Sequence, residues 1–160
     1  MRLGRKLAVF PVAWLALVAA APAGDDAASG AKRPDEVQMR KQLCGTWKGF
    51  AVEGKGETPD RGPVKLELTF TEQTIHGIEI KGEQNMDHGE GQYSLDLVVA
   101  PFRLDAAKVL ERGRKDAWVG IYSLEGDTLK WCVSKKQRPT TFETVKGQFL
   151  LILKRAQPAK

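Results

Sequence analysis

Histidine and cysteine are scarce in this chain: two of each in 160 residues, His76 with His88 and Cys44 with Cys132. There is no C-x-x-C and no histidine pair at finger spacing, which excludes a structural zinc motif. No G-x-S-x-G elbow presents a serine, and no glycine-rich loop opens a helix to cradle phosphate. Catalysis asks for a nucleophile beside a base, paired acids or a metal set, and the sequence offers little of this equipment. The reading is therefore non-enzymatic, with no cofactor implied. The longest apolar run, "LAVFPVAWLALVAA", has fourteen residues and contains Pro11. A helical membrane span needs about 20.

That run belongs to the start of the chain. Arg2, Arg5 and Lys6 precede it, and "APA" at 21–23 supplies a small-x-small cleavage signal. Residues 1–23 thus read as a secretory signal peptide cut after Ala23, with retention as an anchor as the other reading. The expected location is the periplasm or the exterior, with no integral span once the segment is removed. Removal takes away three basic residues and no acid, leaving 22 basic against 20 acidic. Much of the apparent basicity is therefore signal peptide. "ERGRK" at 111–115 and "KKQR" at 135–138 read as solvated loops, so no nucleic-acid partner is expected. "GDDAASGAKR" at 24–33 reads as a disordered leader, and residues 156–160 as a tail. What remains suits one domain with a real core, expected as a monomer.

Residues 34–44, "PDEVQMRKQLC", read as a short helix with Pro34 in its first turn and acids at its positive end. Its apolar stripe is weak, which makes it a lid or strut. From Gly45 the period becomes two. "VKLELTF" at 64–70 sends Val64, Leu66, Leu68 and Phe70 inward. Further runs follow at 74–80, 90–97, 101–106, 117–124, 128–134 and 148–155, and "TWKGFAVE" at 46–53 precedes them. Eight short strands joined mostly by short turns predict an antiparallel, up-and-down meander over 45–155 that closes into a barrel.

A closed barrel needs a plug at one end. Trp47 at the start of the first strand supplies it, and Gly45 lets the entering chain pass close beneath. Counting by twos along "FLLILKR" aims Arg155 at the same end, where a cation can lie over the indole. An ordinary buried Trp beside a solvated Arg tail fits the same spacing equally well.

"GTWKG" at 45–49, "LTF" at 68–70, "GIYSLEGDTLKWC" at 120–132, "RPTTFET" at 138–144 and "LLILKR" at 150–155 together resemble a lipocalin-like secreted domain family of planctomycete bacteria. The wider likeness is to the calycin superfamily. The resemblance covers nearly all of 45–155 and implies a calycin-type barrel. It implies no established activity.

The candidate interior residues are His76, Tyr93, Trp118, Tyr122 and Trp131. His76 shares a strand face with Ile78 and Ile80, either as a buried or rim histidine or as a cavity contact. The four aromatic residues either fill the barrel or line a pocket, and their polar tips need partners. Asp87, His88 and Glu90 lie in "MDHGEG", read as a solvated turn in preference to a metal site. Asp96 and Asp105 read as ordinary outward strand charges. Cys132 alternates with Lys130 and Ser134, and so faces outward. Strands one and seven lie two places apart, about 9.6 Å, whereas a disulfide wants Cα atoms within about 7 Å. Cys44 and Cys132 are therefore not expected to pair.

Three functions stay open at this stage. The barrel binds a small, mainly apolar molecule. Or it is filled and binds a protein partner, an inhibitor target or an envelope component. Or it is an enzyme using His76 or the 87–90 segment. A connected cavity of about 300 Å³ or more favours the first.

Overall fold

The computed structural model describes residues 35–54 and 63–157. The expected signal peptide, the leader and residues 158–160 of the tail lie outside the described residues. One short helix, α1 (Glu36–Leu43), precedes eight strands: β1 (Gly45–Glu53), β2 (Val64–Phe70), β3 (Thr74–Lys81), β4 (Gln84–Asp96), β5 (Arg103–Val109), β6 (Lys115–Glu125), β7 (Thr128–Ser134) and β8 (Gln148–Arg155). Each strand pairs antiparallel with its neighbours in chain order, and β8 returns to β1, so the sheet closes as an up-and-down barrel. The closing seam runs from Trp47 opposite Arg155 to Glu53 opposite Phe149.

The alternation in the sequence is what wraps the sheet. In β2, Leu66, Leu68 and Phe70 are buried while Lys65 is exposed and Glu67 meets Lys48 across the strand at 2.9 Å. β7 and β8 contribute Leu129, Trp131, Val133, Leu151 and Leu153 to the same core. A period of two with one apolar face permits one register only, because a slip of one residue would turn every core side chain to solvent.

At one end the barrel is plugged. Trp47 is fully buried together with Leu43, the last residue of α1. Its Nε1 donates to the Leu43 carbonyl oxygen at 2.7 Å. The guanidinium carbon of Arg155 stands 4.2 Å from the indole centroid, and Nη1 donates to the Cys44 carbonyl oxygen at 2.8 Å. Nη2 reaches the Gln42 carbonyl oxygen as well. The last carbonyls of a helix lack partners within it. Here an indole and one guanidinium, from the two strands that close the barrel, satisfy three in a row. Gly45 adopts φ +119, a left-handed conformation that favours glycine, and a Cβ there would lie 3.3 Å from Arg155 Nη1. At the other terminus of α1, the Asp35 side chain accepts from the Val37 amide at 3.1 Å. The helix is a strut across the closed end.

Three expectations need correcting. The segment "MDHGEG" is not a turn: it lies within β4, whose thirteen residues make it the longest strand, and the turn falls earlier, after Lys81. β5 starts at Arg103 and runs to Val109, later than the 101–106 expected. Cys132 takes an outward strand position, yet it is fully buried, as are Ile121 beside it and Pro139. The segment after β7 covers this outer face. Arg138 forms a paired contact with Asp105 (Nη2 to Oδ2, 2.7 Å) and donates to the Gly120 carbonyl oxygen at 2.6 Å. Among the described residues no helix is long and apolar enough to cross a membrane.

Candidate functional site

Opposite the Trp47 plug the barrel is hollow. A cavity of about 440 Å³ occupies the end where β1, β3, β5 and β7 finish. Its deeper walls are apolar: Leu66, Leu68, Ile75, Trp131, Val133 and Leu151. Trp118 and Phe149 stand nearer the rim, edge to face, with centroids 5.8 Å apart. The rim is charged, with Glu53, Glu79, His88, Lys108, Asp116 and Lys135. An apolar chamber with a few polar groups at its mouth has the form of a small-molecule site.

Small residues make the room. Ala51, Gly77, Gly89 and Ala106 line the cavity, where larger residues would narrow it, while a Cβ on Gly91 would lie 2.7 Å from the Ala107 carbonyl oxygen, so that glycine serves the close approach of β4 to β5. Gly120 performs a different task. A Cβ there would lie 2.6 Å from Trp131 Nε1, so the indole lies against bare backbone. That Nε1 crosses β6 and donates to the Leu104 carbonyl oxygen on β5 at 3.0 Å. The Gly120 amide turns instead to Asp105 Oδ1 at 3.1 Å. Asp105, expected to be an ordinary surface charge, thereby ties together β5, β6 and Arg138. Its carboxylate also raises the pKa of the Arg138 guanidinium by hydrogen bonding.

The five candidate interior residues separate into two groups and an exception. Trp118 and Trp131 line the cavity. Tyr93 and Tyr122 lie among the core residues away from it. Tyr93 packs edge to face on Phe70 and donates to the Thr71 carbonyl oxygen at 2.9 Å. Arg40 of α1 lies over its ring, 4.8 Å from the centroid. The Tyr122 hydroxyl is buried without a hydrogen-bond partner among the described residues, and burial pushes its pKa up. His76 does not point inward. It is on the outer surface, Nε2 2.8 Å from Asp87 Oδ1. Burial differs from expectation because Ile75 and Gly77, not His76, take the buried positions of β3.

The histidine in the cavity wall is His88, which the sequence placed in a turn. The register between β3 and β4 shifts between Gly77 and Ile78, where His88 is left without a residue opposite it; Asp87 turns to His76 and His88 to Glu79. His88 Nε2 lies 3.3 Å from Glu79 Oε2, while Lys81 Nζ holds Glu79 Oε1 at 3.0 Å. Asp87, His88 and Glu90 therefore do not converge, and among the described residues there is no group of three or more His, Cys, Asp or Glu side chains that could hold a metal ion. The Gly89 amide, 2.6 Å from Asp87 Oδ1, lowers the Asp87 pKa, with His76 adding to the effect. Cys44 and Cys132 are both free thiols, and burial raises the pKa of each.

No family model matches the chain, and no curated protein matches it.

Proposed function

We propose that this chain is an exported, non-enzymatic barrel that holds a small, mainly apolar molecule inside the end opposite Trp47. The observation that carries the reading is the cavity of about 440 Å³ with apolar walls. It is of the size that small-molecule sites use. A barrel kept only as a surface for a protein partner has no need of an empty interior lined by glycine and alanine. The lipocalin-like character of the sequence blocks supports the same reading, and the leader-like residues 1–23 support export. His88 and Glu79 converge at the rim, but Lys81 shares the carboxylate, and among the described residues no serine, threonine or cysteine accompanies them in the cavity wall. They are read as part of the mouth and not as a catalytic pair.

The test is titration with a neutral, environment-sensitive fluorophore such as N-phenyl-1-naphthylamine. Saturable binding is expected. Ala51 is buried in the cavity wall opposite Leu151, so Ala51→Phe narrows the chamber. It should weaken the probe at least about tenfold, or roughly 1.4 kcal/mol. Phe50→Ala, on the outer side of the same strand, should leave binding unchanged, and thermal melts confirm that both variants fold. No saturable binding, or equal binding by Ala51→Phe, overturns the reading.

A further inference from the structure

The barrel wall is not evenly stitched. β4 has thirteen residues, but only Gln92–Asp96 pair with β5, against Arg103–Ala107. Above that point β4 continues as Gln84–Gly91 with β3 alone, and β5 continues as Lys108 and Val109 with β6 alone. Both margins of this split line the cavity: His88, Gly89 and Gly91 on one side, Ala107 and Lys108 on the other. Across it, the Lys108 ammonium donates to the His88 carbonyl oxygen. A side chain spans the seam where backbone hydrogen bonds run further down.

Lys108 is also the odd charge at the rim. Asp116 stands opposite it in register, yet Asp116 Oδ1 is held by Lys135 at 2.6 Å, and the Lys135 ammonium lies 4.6 Å above the Trp118 ring. Glu79 has both oxygens engaged, by Lys81 and His88. Glu53 has an interaction of its own. Among the described residues in the cavity wall, Lys108 is the lysine with no carboxylate partner. An ammonium satisfied only by a neutral carbonyl gains when an anion replaces it, since hydrogen bonds between two charged groups are the stronger kind.

We propose that the split seam between β4 and β5 is the head-group end of the site, and that the site takes an amphiphile with one anionic group, which Lys108 binds while the apolar body lies against Leu66, Trp131 and Leu151. This rests on the reading of the cavity as a binding site and specifies which class of molecule it selects. On binding, Lys108 exchanges the His88 carbonyl for the ligand's anion. Lys135 stays with Asp116 and takes no part.

The experiment compares three probes with the same tail, dodecanoate, dodecanol and dodecylammonium, each displacing the neutral fluorophore below its aggregation concentration. The unaltered protein should bind dodecanoate about tenfold more tightly than dodecanol, the difference between a charged and a neutral hydrogen bond. Dodecylammonium should be the weakest. Lys108→Met should abolish the preference for dodecanoate and leave dodecanol unchanged. Lys108→Glu should reverse the order of the two ions, and Lys108→Arg should retain the original order. Lys65→Met, exposed on β2 and outside the cavity wall, is expected to keep the preference. Equal binding of the three probes, or an unchanged preference in Lys108→Met, overturns the proposal while the cavity reading stands. Failure of the fluorophore itself to bind the unaltered protein overturns both. Melting curves and dodecanol binding report on the fold of each variant.

Discussion

Replacing Arg155 by Met keeps most of the side-chain length and removes the fork that joins β8 to β1 and α1. Three contributions are lost. The cation over the Trp47 ring, 4.2 Å from its centroid, contributes about 0.5–2 kcal/mol. The donations to the Gln42 and Cys44 carbonyls are hydrogen bonds from a charged group, and leaving those carbonyls without a partner costs about 1–3 kcal/mol. The contact with Asp127, whose side chain is 79% exposed, adds little, about 0–1 kcal/mol. Because Arg155 is itself partly exposed, the lower halves of these ranges apply, and the expected loss is about 2–4 kcal/mol. Urea unfolding followed by tryptophan emission measures it. Arg155→Lys should recover less than half, since an ammonium cannot reach two carbonyls and cover a ring together. In a double-mutant cycle with Trp47→Leu, which removes the ring, the coupling should be about 0.5–1 kcal/mol. Asp127→Ala, by contrast, should cost no more than about 0.5 kcal/mol. If Arg155→Met costs under about 1 kcal/mol, the level of a surface pair, the account of the closed end is wrong.

Two further expectations concern individual groups. The Tyr122 hydroxyl is buried with no partner among the described residues, so Tyr122→Phe should be neutral or stabilising by up to about 1 kcal/mol, and a loss larger than that in urea unfolding would show that the hydroxyl has a role. Asp87 should titrate below the ordinary carboxylate value of about 3.9 in a carbon-detected NMR titration. Its contribution to stability is then complete above that value and disappears as the pH falls through the lower, folded one. His76→Ala should return Asp87 only part of the way, because the Gly89 amide is the larger cause; an ordinary or raised value in the unaltered protein contradicts the geometry.

The barrel was legible because its evidence is repeated in every strand. "VKLELTF" states its own inner face, and eight such runs with short turns leave one simple way to hide both edges. The bounds of β2, β7 and β8 follow from alternation and turn chemistry alone. The site was less legible, for a physical reason. Counting isoleucines assumes that apolar means inward, which holds where the interior is dry. At the mouth the rule weakens: the inner face carries Glu79 and His88, and Ile80 is exposed. The glycines at 77 and 89 carry no hydropathy signal, yet they help set the width of the chamber. Clustered with charges in "MDHGEG", Gly89 and Gly91 also imitate a turn. A register shift within β3–β4 is likewise invisible to counting by twos. Cys132 faces outward as counting by twos gives, yet it is buried, because strand periodicity knows nothing of a later segment that packs over the outside.

The bond from Arg155 to the carbonyls that end α1 spans more than a hundred residues of sequence. During synthesis from the first residue onward, α1 therefore cannot have its last carbonyls satisfied until β8 arrives. Up to that moment β1 has an unpaired border, and local contacts alone give little reward. Closure of the barrel should therefore come late and in one step.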